Sequence, residues 1–225
     1  MKNKLKILHL SDTHNNFEAH FNYDLDVDVV CHTGDAQCYD MIQFQTFVEW
    51  FKLFPILYKI YVAGNHDKFI YENKKLCKQV FKDAGIIYLD KEEVVINDVK
   101  FYGDPMTPTF GNWYFTADRN KLAKHWAQIP DDVDVLLTHG PRKGYLDLTQ
   151  DREHLFQMCG CNALGRRIDE LKNLKLHCFG HIHNYKNIVN TGLRIINDVT
   201  YSNSASVEDA RFDKGIIHFG NTITI

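Results

Sequence analysis

Five apolar, strand-like segments of this chain each run into side chains that bind metals or carry protons. "ILHLSDTH" ends in Asp12 and His14, and "VVCHTGD" ends in Asp35. "IYVAGNHD" ends in Asn65, His66 and Asp67, "VLLTHG" supplies His139, and "CFGHIH" supplies His181 and His183. Carboxylate, amide oxygen and imidazole without thiolate suit Mn, Fe, Ni or Zn in a catalytic centre. A structural zinc site closes with four ligands, often including cysteine. The candidates here outnumber what one tetrahedral ion can take. Two ions sharing a carboxylate, about 3.5–4 Å apart, accommodate them.

Such groups work together only if the elements that carry them open on one edge. Parallel strands of an α/β sheet present their carboxyl ends to a common rim, where ligands bind. Glycine stands beside four of the five strand ends: Gly34, Gly64 and Gly180 precede donors and Gly140 follows one. It permits the sharp turn and close backbone approach needed where a strand leaves the sheet.

The rest of the pattern fits that arrangement. Met41, Phe44, Phe47, Val48 and Phe51 recur at helical spacing between Tyr39 and Phe54. A helix is expected over Glu72 to Asp83, with Leu76, Val80 and Phe81 inward. "EEVVINDVKFYGD" reads as a hairpin about Asn97 and Asp98. Residues 104–117 read as an irregular aromatic loop, and Asp118 as the N-cap of a helix through Gln128. A helix over 162–172, a strand in "LKLHCFGHIH" and hairpins in "KNIVNTGLRIIN" and "KGIIHFGNTITI" complete the chain. The expected fold is α/β: two packed mixed β-sheets flanked by helices, in one domain spanning residues 1–225.

Composition narrows the function. The formal charge of −3 gives no overall basic field, so no extended nucleic-acid surface is evident. No apolar run has the length of a membrane span. The lysines and apolar residues of "MKNKLKILHLSDTH" look like a signal peptide, but His9, Asp12 and His14 interrupt them too early. The segment reads as a first strand, and the protein as cytoplasmic. Cys31 and Cys178 read as reduced core residues, and "CGC" at Cys159 to Cys161 as a loop.

"DTH", "GD", "GNHD", "THG" and "GHIH", in this order, resemble the calcineurin-like metallophosphoesterase superfamily. "GDPMTPTFGNWYF" and "HGP" resemble its small metallophosphoesterase-domain (MPPED-like) phosphodiesterases. The resemblance implies a four-layer α/β/β/α sandwich. It also implies that Asp12, His14, Asp35 and His183 hold one divalent ion. Asp35, Asn65, His139 and His181 then hold a second, with Asp35 between them. His66 faces the scissile phosphate as a catalytic residue, and Asp67 stands behind it, orienting it. The implied activity is hydrolysis of a small phosphodiester, such as a cyclic nucleotide, by dinuclear-metal hydroxide attack. Manganese is the expected metal, with Fe, Zn or Ni as substitutes. A nuclease of the same fold and a non-catalytic protein-binding scaffold are the alternatives. Mild acidity weighs against the first, and the intact motif set against the second.

Residues outside these motifs receive structural readings. His9, His20, His32, His125, His154, His177 and His218 are expected to be structural or solvated. Trp50 and Trp126 are expected in the core. Most of Phe110, Trp113, Tyr114 and Phe115 are expected to pack, the other reading being a wall for an aromatic leaving group. Arg142 and Lys143 are expected on a solvated loop.

Overall fold

A computed structural model describes residues 4–17, 25–150, 155–208 and 215–225. His20 and His154 lie outside the described residues. The first half of the chain forms β1 (Lys6–Leu10), β2 (Val29–His32), α1 (Met41–Lys52), β3 (Tyr58–Tyr61), α2 (Lys68–Glu72), α3 (Lys74–Asp83) and β4 (Ile86–Tyr88). Next come β5 (Glu92–Ile96), β6 (Val99–Asp104), β7 (Thr107–Pro108), β8 (Thr116–Ala117), α4 (Leu122–Trp126) and β9 (Val135–Thr138). The chain finishes with β10 (Leu148–Gln150), β11 (Phe156–Met158), α5 (Asn162–Glu170), β12 (Leu176–Phe179), β13 (Gly192–Ile196), β14 (Val199–Asn203) and β15 (Asn221–Thr224).

Two mixed sheets carry the fold. One has the order β15-β1-β2-β3-β4, and the other β13-β14-β12-β9-β6-β5. β1 to β4 run parallel, with β15 antiparallel at the edge. β14, β12, β9 and β6 run parallel, and an antiparallel hairpin strand closes each edge. Those two hairpins turn on the same dipeptide. Asn97-Asp98 and Asn197-Asp198 all have φ between 49° and 63°, the left-handed pair that a two-residue turn demands.

Alternation of side chains along the strands sets the layers. Leu8, Leu10, Val30 and Tyr61 meet Phe44, Phe47, Phe51 and Phe81 of the helices. Ile7, Val29, Cys31 and Ile60 point the other way and meet Phe101, Val135, Leu137, Leu176 and Cys178 of the second sheet. The far face of that sheet, with Leu136 and Phe179, packs on Trp126, Leu164 and Ile168. The layers are therefore helix, sheet, sheet, helix, and the strands read as continuous apolar runs because both faces are covered.

Several local expectations are corrected. The helix expected over Glu72 to Asp83 begins at Lys74, after the short α2 that ends at Glu72, and Asn73 between them has a non-helical backbone. Cys77 and Phe81 face inward there, whereas Leu76 is 45% exposed. Met41 leaves the α1 core stripe at 37% exposure. Asp118 caps no long helix: its carbonyl accepts from Lys121 in a turn before the short α4. Thr107–Pro108 and Thr116–Ala117 pair inside the aromatic loop. Among the described residues, "KGIIHFGNTITI" gives one strand on β1 rather than a hairpin. Trp50 and Trp126 are buried as expected. Cys161 does more than fill a loop: its sulfur accepts from Leu164 N at the start of α5 and from Trp126 Nε1 of α4.

Candidate metal centre

The carboxyl ends of parallel strands from both sheets open on one rim. Two groups of donors gather there: Asp12, His14 and His183, and Asp35, His139 and His181. Each group takes residues from both sheets. The sheets are joined at this point by a bridge between Ser11 and Ala205.

The backbone is bent to aim these side chains. Asp12, His14, Asp35 and His181 have φ of 52°, 44°, 54° and 67°. Left-handed conformations at non-glycine residues are costly and persist where surrounding contacts over-determine them. Here Asp12 N donates to Gly34 O at 2.8 Å, His14 N to Asp35 O at 3.1 Å, and His181 N to Asp12 Oδ2 at 2.9 Å.

Two glycines leave room for the carboxylates. A Cβ on Gly180 would lie 1.9 Å from Asp12 Oδ2, and one on Gly64 would lie 2.3 Å from Asp35 Oδ1.

Asp35 Oδ2 is the centre of the site. It lies 3.3 Å from His139 Nε2, 3.9 Å from His14 Nε2 and 4.0 Å from His66 Nε2. Its partner oxygen accepts from His66 N at 2.7 Å. Asp12 Oδ1 lies 3.0 Å from His183 Nε2 and 4.0 Å from His14 Nε2. His139 Nδ1 donates to Thr33 O at 2.8 Å, and Nε2 sits 2.9 Å from Asn65 Oδ1. With Nδ1 so committed, Nε2 is the nitrogen left to ligate.

The charges demand a cation. Asp12 and Asp35 are buried, and among the described residues their ion pairs are all with imidazoles. Burial works against both carboxylates, but the neighbouring imidazoles outweigh it and hold both below the ordinary carboxylate range. Burial likewise lowers the affinity of His139 for a proton, yet Asp35 and Asp12 push it up to about 9. Divalent ions would supply here the positive charge that two buried carboxylates otherwise draw from imidazoles. The donor set, the glycine cradles and this electrostatic deficit all fit a divalent metal centre.

The sequence candidates divide by role. Asp12, His14, Asp35, Asn65, His139, His181 and His183 converge. His66 stands at the edge of the group, its ring 5.0 Å from that of His14. Asp67 lies beneath. Its carboxylate takes Asp35 N at 3.0 Å, Gly64 N at 2.7 Å, Cys38 N at 3.2 Å and the Tyr61 hydroxyl at 2.6 Å, so it ties the β2 and β3 loops together. The group bonded to His66 Nδ1 is the Tyr39 hydroxyl. Sequence reasoning missed Tyr39, although it follows Asp35 in the same loop.

The centre floors a cleft of about 510 Å³ whose walls include Phe110, Trp113, Arg119, Thr149, Gln157 and Cys159. Phe115 is buried as expected, whereas Phe110 and Trp113 face the cleft. Arg119 donates to the Cys159 and Gly160 carbonyls and links the aromatic loop to the far wall. Arg142 is not solvated: it pairs with Asp169 at 2.6 Å, reaches the Tyr201 hydroxyl and lies 4.4 Å over the Tyr145 ring. His9, His32, His125 and His177 are structural as expected, each hydrogen-bonded to a hydroxyl or carboxylate.

Several known proteins are similar to this chain. A family profile described as calcineurin-like phosphoesterase matches residues 5–185. Human metallophosphoesterase domain-containing protein 1 is 32% identical over 179 residues, covering 69% of this chain and 54% of that protein. A UPF0046 protein of Caenorhabditis elegans is 26% identical over 218 residues, covering 91% and 76%. A protein of Emericella nidulans named probable rhamnogalacturonate lyase C is 33% identical over 192 residues, covering 80% of this chain and 17% of its own. The chain thus spans about half or less of the human and Emericella relatives it matches. One solved structure superposes with a TM-score of 0.66 at 13% identity, covering 99% of this chain and 98% of its own. A putative 5′-nucleotidase from Staphylococcus aureus gives 0.55 at 11% identity, covering 89% and 48%. These two likenesses speak to fold alone.

Proposed function

The chain belongs to the calcineurin-like phosphoesterase family, and on that premise we propose that it is a metal-dependent phosphodiesterase acting on a small phosphodiester, such as a cyclic nucleotide. One observation carries the reading: Asp35 Oδ2 lies within 4.0 Å of imidazoles from both donor groups, the position of a shared ligand. Asp12, His14, Asp35 and His183 would hold one divalent ion. Asp35, Asn65, His139 and His181 would hold the other. Manganese leads the metals this donor set suits, with Fe, Zn and Ni as substitutes.

Two bound divalent ions supply charge neutralisation for phosphoryl oxygens and a more acidic water at neutral pH. The protein's own groups do the rest. The Tyr39 hydroxyl, whose pKa burial and then Asp35 and Asp67 push up to about 12, stays protonated and donates to His66 Nδ1. That bond leaves the proton of neutral His66 on Nε2, the nitrogen facing Asp35. Nε2–H can then donate a hydrogen bond to the charge that develops on the leaving oxygen. Asp67 fixes the two loops that carry Asp35 and His66.

The cleft has the volume of a small-ligand site. Among the described residues no helix is long and apolar enough to cross a membrane. All six cysteines are free, and five are buried, which supports a cytoplasmic setting.

The test is a manganese-supplemented panel of aryl mono- and diesters, 2′,3′- and 3′,5′-cyclic nucleotides and DNA. Diester hydrolysis that a chelator abolishes and Asp35→Asn removes is expected. Faster turnover of DNA than of small diesters would favour the nuclease, and inert metal-loaded protein would favour the scaffold.

A further inference from the structure

The aromatic loop is divided between packing and display, and the division is built into its backbone. Thr107 N donates to Phe115 O and Thr109 N to Ala117 O, both at 2.9 Å, across the β7–β8 pair. Phe115 is driven into the core at 1% exposure, while Trp113 keeps 36% and Phe110 keeps 55%. Thr116 Oγ1 donates to the Trp113 carbonyl. The indole lies over Gly111, where a Cβ would meet its Cδ1 and Nε1 at 3.4 Å. The loop is thus pinned with two large rings turned outward.

Those rings line the cleft beside the polar centre. The Trp113 ring centroid is 4.3 Å from that of His66, and Phe110 is 5.0 Å from His181. The two aromatic planes are tilted by only 26°, with centroids 6.2 Å apart. The two rings stack on one another with an offset and together make an apolar side wall of the cleft next to His66. Aromatic faces left exposed in this way favour a flat π-surface as their partner.

We propose that Phe110 and Trp113 are specificity-determining residues that stack a planar aromatic group on the leaving side of the substrate. The inference rests on the phosphodiesterase reading and adds the chemical class of the leaving group. A nucleobase and a simple aryl group share that chemistry. A ring held there also keeps the leaving oxygen beside His66.

Three phosphonates separate the contributions: methylphosphonate has no ring, cyclohexylphosphonate a thick saturated one, and phenylphosphonate a flat one. Against manganese-loaded enzyme, phenylphosphonate should inhibit about tenfold more tightly than cyclohexylphosphonate. Trp113→Ala and Phe110→Ala should each shrink that ratio severalfold, weakening the phenyl compound more than the methyl one. Trp113→Phe should restore most of it. A readout independent of turnover is tryptophan emission of zinc-loaded protein, because Trp50 and Trp126 are buried. Phenylphosphonate should change it, and Trp113→Phe should abolish the change. Normal methylphosphonate inhibition with equal affinity for the two rings would overturn the wall alone. Absence of both hydrolysis and methylphosphonate binding would sink the phosphodiesterase reading and the wall with it.

Discussion

The hydroxyl of Tyr39 meets Nδ1 of His66, with the two rings 5.9 Å apart and nearly perpendicular at 80°. A hydroxyl that donates here puts the proton of neutral His66 on Nε2. Tyr39→Phe keeps the ring and removes only the donor. It should lower kcat about tenfold with KM within a factor of two, and the loss should grow as the leaving group becomes more basic. His66→Ala should lose about 10²–10⁴-fold on the same substrates. Steady-state kinetics across a series of aryl diesters checks both.

Gly180 faces Asp12 with no room for a methyl group. Gly180→Ala should expel the carboxylate and lower bound metal to half or less at limiting concentration. Elemental analysis beside circular dichroism measures it. Full metal content in a folded variant would contradict the assigned donor.

The Asp67 carboxylate takes three backbone N–H groups and one hydroxyl in a buried position. Asp67→Asn replaces one acceptor oxygen with an amide NH2 that faces donors. A loss of about 3 kcal/mol in urea unfolding of metal-free protein is expected. A variant that unfolds like the parent would leave Asp67 without this role.

His177 is buried on Thr138, and burial, reinforced by Arg142, lowers its pKa to about 3. The unfolded chain takes up a proton below about pH 6.5, whereas the folded chain does not until near pH 3. Stability associated with this group is therefore complete above pH 6.5 and lost as pH falls toward 3. His177→Gln should flatten the decline by roughly 1 kcal/mol per pH unit. Urea titrations of metal-free protein at pH 7, 6 and 5 give the slope.

Metal should stabilise the fold, because both donor groups draw on both sheets. Each site filled at 100 times its Kd adds about 2.7 kcal/mol. Calorimetry with manganese and then with chelator should show a reversible fall of several degrees in Tm. Asp35→Asn should reduce the manganese-induced gain more than His66→Ala does.

The donors are legible in the sequence because their chemistry sits where buried strands end, and packing alone gives an apolar run such as "VLLTHG" no reason to finish on an imidazole. The layers follow on the same grounds: strands covered on both faces are apolar throughout. What escapes is set by contacts between segments distant in sequence. Phe115 and Trp113 are both aromatic, and only the β7–β8 pairing decides which turns inward. Asp67 reads as a partner for its neighbour, yet its oxygens serve backbone donors from two loops. Arg142 reads as solvated until Asp169, Tyr145 and Tyr201 arrive from elsewhere in the chain. The start of α3 at Lys74 depends on the non-helical backbone of Asn73, whose φ is −126° and ψ 37°.

Because each donor cluster straddles the seam between the β layers, the centre behaves as a rivet through two plates. Its geometry is a gauge of their alignment. Subtle repacking at Val135 or Ile60, remote from the rim, should therefore surface as impaired turnover well before it surfaces as unfolding.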